Sequence, residues 1–107
     1  MVVGADSFLF NSSKELIALA DRYRLPAIYF DINAVKIGGL IGYGTEDSAN
    51  MQVLGKYAGR ILRGEKPADM PVEQMTNEVL TINLKTAAAL GITVPNSIIG
   101  RADEVIE

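Results

Sequence analysis

Three short polar clusters each follow an apolar run, and they hold the side chains of this sequence best suited to chemistry. The first is Asp6-Ser7-Phe8, a carboxylate, a hydroxyl and an aromatic ring in succession. The second contains Asp31 and Asn33, and the third is Gly42-Tyr43-Gly44-Thr45-Glu46, a tyrosine between glycines. Carboxylates receive an ammonium group, hydroxyls and amides fix orientation, and rings cover an apolar body, so these types suit recognition of a small polar solute. Each also has a purely structural use. Asp and Ser after a strand cap the following helix, and Thr45 is placed to cap the next one. Tyr43 equally fits a boundary position with a wet hydroxyl.

Other chemistries are poorly supplied. The sequence has no histidine and no cysteine. That removes the usual general base near neutral pH, the commonest transition-metal ligand, thiolate nucleophiles and disulfides. Asp6 and Asp31 could face a hard cation, but there is no dense carboxylate run of the DxDxD kind. No catalytic residue, metal or cofactor is therefore expected. Gly38-Gly39-Leu40-Ile41-Gly42-Tyr43-Gly44 is glycine-rich without the GxGxxG order or a following P-loop lysine. Asp6 and Asp31 at successive strand ends suggest a receiver domain with Lys85 as partner, yet Lys85 falls inside a predicted helix. Lysines and arginines are scattered and the net charge is only -3, which argues against nucleic acid as a partner.

The elements that position these clusters can be read from the apolar spacing. Val2-Val3 reads as a short strand. Asn11-Ser12-Ser13 offers N-cap oxygens for a helix to about Tyr23, with Leu16, Leu19, Ala20 and Tyr23 on its apolar face. Ala27-Ile28-Tyr29-Phe30 is an apolar run without alternation, as in a strand covered on both faces. Residues 31–37 form a loop or one helical turn, and 39–43 are the next strand. A long helix follows over 46–62, with Met51, Leu54, Ala58, Ile61 and Leu62 as its buried stripe. Gly55 and Gly59 each cost about 1 kcal/mol against alanine there, so close packing on that face is expected. Gly64 ends the helix. Residues 65–76 form an extended connector, 79–82 a strand, and Asn83 caps a short helix, 84–90, stopped by Gly91. Pro95 opens another short helix. The order β-α-β-β-α-β-α-α implies an α/β fold with parallel strands and crossover helices.

The last third of the chain carries a resemblance. Gly64-Glu65-Lys66-Pro67-Ala68-Asp69-Met70-Pro71-Val72-Glu73, then Val79-Leu80-Thr81-Ile82-Asn83-Leu84-Lys85-Thr86-Ala87-Ala88-Ala89-Leu90-Gly91-Ile92-Thr93-Val94-Pro95, and finally Arg101-Ala102-Asp103-Glu104-Val105-Ile106-Glu107 resemble the C-terminus of one family. That family is the tryptophan/tyrosine-type substrate-binding proteins of ABC transporters, which have a type I periplasmic-binding-protein fold. The likeness extends upstream over nearly the whole chain, which corresponds to roughly the last third of a family member. In the family, an aspartate and a polar residue after the first of these strands enter the solute cleft, an aspartate-rich loop follows the next strand, and a Tyr-Gly pair follows that. Asp6 and Ser7, Asp31 with Asn33 nearby, and Tyr43-Gly44 stand at those places, with Ser7 in place of the common asparagine. Phe8-Leu9-Phe10 is bulkier than the family's small residues.

The resemblance implies a Rossmann-like lobe fragment. Residues 1–64 would be a partial solute-binding lobe, 65–77 a crossover connector, and 78–107 a C-terminal strand with short helices. It further implies non-catalytic recognition of a small polar solute such as an amino acid, a membrane permease as partner, and a periplasmic location. The sequence shows no export signal at Met1-Val2-Val3-Gly4-Ala5-Asp6, so as written the chain would be cytoplasmic. No apolar run approaches the ~20 residues of a membrane span. The alternative is a truncated chain that binds no transported solute. Its tail stripes at 79–82, 84–90 and 98–99, uncovered by a second lobe, would then pair in a homodimer.

Overall fold

The computed structural model describes residues 1–74 and 76–107; Met75, within the expected connector, lies outside the described residues. The chain divides into two compact units. The first joins Met1–Gly44 to Glu78–Glu107, and the second is Thr45–Asn77. The first unit thus joins the tail to the opening residues.

The first unit is built on a five-stranded sheet in the order β1 (Val2–Val3), β2 (Ile28–Tyr29), β3 (Ile41–Thr45, its last residue belonging to the second unit), β4 (Glu78–Asn83), β5 (Glu104–Ile106). β1 pairs in parallel with β2 through Val2↔Ile28 and Val3↔Tyr29, and β2 with β3 through Ile28↔Ile41 and Tyr29↔Gly42. β4 and β5 are also mutually parallel, with Ile82 opposite Val105. Between the two sets the sense reverses. The Asn83 N–H donates to the Leu40 carbonyl at 2.9 Å, while Tyr43, farther along β3, bonds Glu78 at the start of β4. The fold is α/β with a mostly parallel sheet. The fifth strand was absent from the sequence expectation, and β3 sits two residues later than the expected 39–43.

The connections follow simple local rules. Between β1 and β2 run α1 (Ser7–Asn11) and α2 (Ser13–Arg22). α1 was not expected. α2 buries Ala20, with Ile17 packed against the same core, whereas Leu19 and Tyr23 are exposed, a correction to the predicted face. The helix turns so that Leu16, Ile17 and Ala20 face inward. It ends in a Schellman arrangement, Leu25 N–H to Ala20 O at 2.8 Å and Arg24 N–H to Asp21 O at 3.0 Å. Arg24 occupies the left-handed position at φ 51° that glycine usually takes.

α3 (Asn33–Lys36) buries Ala34 and Val35 against β4. Asn83 fastens the centre. Its Oδ1 caps α5 (Leu84–Leu90) by accepting from the Thr86 N–H at 3.1 Å, and its Nδ2 donates to the Val35 carbonyl at 3.1 Å. Thr86 Oγ1 donates to the Gly38 carbonyl at 2.9 Å. Gly91 closes α5 in the left-handed region at φ 73°. α6 (Asn96–Ile99) begins just after Pro95. The tail is thereby folded into its own unit: Ile82 and Ala87 are buried and Leu84, Leu90 and Ile99 half-buried. The apolar exposure expected there is reduced mainly to Ile98.

The second unit holds α4 (Asp47–Leu62) and a short 3₁₀ turn at Pro67–Asp69. Tyr57 Oη donates to the Pro71 carbonyl at 2.6 Å, and Arg60 Nε donates to Glu65 Oε2 at 2.7 Å. The predicted buried stripe is not buried. Leu54 is 57% exposed, Met51 66% and Leu62 88%, and Ala58 and Ile61 are exposed too. A Cβ at Gly55 would meet nothing within 4 Å. The residues that lean on their own unit are instead Val53, Tyr57 and Arg60, on a different face of the helix.

Candidate solute site

The parallel pairing of β1, β2 and β3 points their carboxyl ends the same way, which is where ligands collect in open α/β sheets. A cavity of about 590 Å³ opens there within the first unit, lined among others by Asp6, Ser7, Phe10, Phe30 and Asp31. Its walls come from the turn after β1, from α1 and from the turn after β2.

Each aspartate is held by backbone. Asp6, in extended conformation before α1, accepts at Oδ1 from the Phe8 N–H at 2.8 Å and the Leu9 N–H at 3.2 Å, a helix N-cap. Asp31 Oδ1 accepts from the Asn33 N–H at 2.9 Å, a turn closed by a side chain. The capping and the binding readings of Asp6 are therefore compatible, because one oxygen serves the helix and the second is free of it. The β2–α3 turn lies close across β3. A Cβ on Gly42 would come within 2.7 Å of Val35 Cγ2 and 3.0 Å of Ile32 Cα, and one on Gly44 would collide with the Phe30 carbonyl. Those two glycines let the Asp31 turn sit where it does.

Asp6, Ser7 and Asp31 share the cavity; Phe8, Asn33 and Tyr43 are not among its lining residues. Phe8 is 75% exposed. Tyr43 is turned to Glu78, whose Oε2 accepts its hydroxyl proton. That hydrogen bond, then the carboxylate's charge, hold the Tyr43 hydroxyl above its ordinary value. Thr45 does not cap α4; its Oγ1 accepts from Asn50 Nδ2 at 3.0 Å. Phe10, Phe30, Asn11 and Ser13 line the cavity and were missed from sequence. The available signal was Asp6 itself. Read as an N-cap, it starts a helix at Ser7 and places Phe10 one turn on, where the Phe10 N–H donates to the Asp6 carbonyl at 2.9 Å. Among the described residues, no group of three or more acidic side chains that could hold a metal occurs.

Residues 1–106 match the family model described as ABC transporter substrate binding protein. Among curated proteins nothing matches. Several solved structures resemble the chain, three of them as follows. A conserved domain protein from Vibrio cholerae O1 biovar El Tor is 23% identical with a TM-score of 0.91, over 97% of this chain and 35% of its own; at that identity it speaks for the fold alone. An ABC domain in complex with L-Trp from Streptococcus pneumoniae is 28% identical with a TM-score of 0.89, over 98% of this chain and 36% of its own. A substrate binding protein with adhesive properties from Clostridium difficile, in a ligand-free open structure, is 25% identical with a TM-score of 0.62, over 98% and 35%. The chain thus spans about a third of the length of the structures it matches.

Proposed function

The chain belongs to the ABC transporter substrate binding proteins, and on that premise we propose that it supplies the solute-contacting loops of an importer's binding protein. The solute is a small polar molecule such as an amino acid, held without chemistry and passed to a membrane permease on the periplasmic side. One observation carries this reading: Asp6, Ser7 and Asp31, from two separate turns, line a single cavity at the carboxyl edge of the parallel strands. The L-Trp complex of the pneumococcal relative supports an amino-acid-sized solute. Phe8, Asn33 and Tyr43 lie outside the cavity wall and belong to its surroundings in this proposal. Titration calorimetry of the chain against the common amino acids tests it. Binding lost in Asp31→Ala is the expected result, and the absence of heat with every amino acid is the opposing one.

A second reading is favoured by a different observation, the exposed apolar stripe Met51, Leu54, Ile61 and Leu62 on α4. Here the chain self-associates through that helix, not through its tail, and binds no transported solute. Light scattering distinguishes it: a dimer that Leu54→Glu converts to monomer supports this reading, and a monomer at micromolar concentration removes it.

A further inference from the structure

The charge of the cavity wall is one-sided. Asp6 and Asp31 line it, and among the described residues no lysine or arginine does. Each aspartate commits Oδ1 to a backbone N–H, Asp6 to Phe8 and Leu9 and Asp31 to Asn33. The second oxygen of each accepts no hydrogen bond from the protein among the described residues. The neutral polar groups on the wall do not offset this. Ser13 Oγ already donates to the Phe10 carbonyl at 2.6 Å, which leaves Ser7, Asn11 and Tyr29 as the neutral polar side chains among the lining residues. A ligand ammonium entering here meets two unoccupied carboxylate oxygens, and charge-assisted hydrogen bonds of that kind are the strong ones. A ligand carboxylate meets like charge and no counter-ion. Phe10 and Phe30, 55% and 49% exposed, stand on the same wall and offer apolar faces to the rest of the molecule.

We propose that this cavity selects an organic cation, a primary amine on a flat apolar body, in preference to the zwitterion or acid of the same body. The inference rests on the solute-binding reading above and specifies its ligand by charge. Aspartate at both positions is what the selection requires. Asparagine there keeps an Oδ1 to cap α1 and close the β2–α3 turn, so Asp6→Asn and Asp31→Asn remove charge without removing the local hydrogen bonds.

Three probes with one ring system and different charge make the test: tryptamine, L-tryptophan and indole-3-propionate, titrated calorimetrically into the chain. The expected order is tryptamine tightest, by about tenfold or more over L-tryptophan, with no measurable binding of the propionate. Added salt weakens the tryptamine complex, and Asp31→Asn weakens it about tenfold while leaving the circular dichroism spectrum unchanged. L-tryptophan binding as tightly as tryptamine, or measurable binding of the propionate, overturns the charge selection while the solute-binding reading stands. Failure of all three probes, together with silence from every amino acid, overturns both.

Discussion

The two units of this chain are held together by different means. Every buried side chain among the described residues belongs to the first unit, from Ala20 and Ala27 through Tyr29 and Val35 to Ile82 and Ala87. The second unit buries none of its described residues to that degree, and it exposes Met51, Leu54, Leu62 and Val72. Its helix has no side-chain N-cap among the described residues; it is closed at its end by Gly64 and held by side-chain ties, Tyr57 to Pro71 and Arg60 to Glu65. Short helices in water are marginal without tertiary burial, and α4 carries two interior glycines besides. A periodic apolar stripe states which residues share a face; whether that face is covered is a separate physical fact.

Truncating one aliphatic side chain in each unit should have unequal consequences for stability. Ile82 is 0% exposed at the centre of β4, so Ile82→Ala should cost about 2–5 kcal/mol through lost transfer energy and a cavity. Leu54, on the exposed stripe, should change stability by no more than about 0.5 kcal/mol as Leu54→Ala. Urea unfolding followed by circular dichroism measures both. Equal losses would mean that α4 is packed in solution and that the contrast between the units is false.

A polar contact gives the next largest effect. Asn83 simultaneously caps α5 and satisfies the Val35 carbonyl. Asn83→Ala should cost about 2 kcal/mol, about 1 for the cap and about 1 for the lost hydrogen bond to the Val35 carbonyl, which keeps the Gly38 N–H at 3.2 Å. Asn83→Ser restores a capping oxygen but not the reach to Val35, so it should recover roughly the cap's share alone. Full recovery by serine would show that the Gly38 N–H alone satisfies the Val35 carbonyl and that the Asn83 amide adds nothing to it.

Particular residues show what was legible in the sequence. The run 27–30 announced β2 because strands covered on both faces need continuous apolar residues, and Asn83, Gly91 and Pro95 marked helix ends by local chemistry. β3 slipped by two residues because Gly42 and Gly44 carry no side chain to alternate; they are there for the close approach of the Asp31 turn. β5 is three residues long, too short for any period. On α2, Leu16, Leu19, Ala20 and Tyr23 satisfy helical spacing as well as Leu16, Ile17 and Ala20 do, and only the tertiary fold chooses between them. At the cavity, the strand-end rule led to Asp6 and Asp31 as candidates. Phe10 was hidden because it depends on a five-residue helix that propensity alone does not stabilise.

A smaller effect sharpens the account of the first unit's interior. Thr81 is 0% exposed, and its hydroxyl has no hydrogen-bond partner among the described residues. An orphan hydroxyl in a sheet interior costs desolvation with no return. Thr81→Val, which swaps it for a methyl of similar size, should raise stability by about 1 kcal/mol. Urea midpoints of the two proteins check it, and a destabilised valine variant would place a water or an unrecognised acceptor beside Thr81.

The smallest expected effect belongs to the second unit, and its pH dependence identifies it. The Arg60 guanidinium hydrogen-bonds Glu65 and holds that carboxyl below the ordinary glutamate value, its charge adding to the hydrogen bond and partial desolvation opposing both. A carboxyl that binds its proton less readily folded than unfolded favours the fold when ionised. The contribution is therefore present from neutral pH down to the ordinary glutamate range, and it is lost as pH falls through the lowered folded value. Both side chains are about one-third exposed, 36% and 34%, so solvent and salt screen the pair and the effect is slight. Melting temperatures of the native sequence and Glu65→Gln, compared from neutral to acid pH at low and high salt, read it out. The native protein should lead by a small margin at neutral pH and low salt, and the margin should close on acidification and on adding salt. A large margin that salt leaves intact would mean that Arg60 and Glu65 are shielded from water, and that the second unit has a sheltered interior after all.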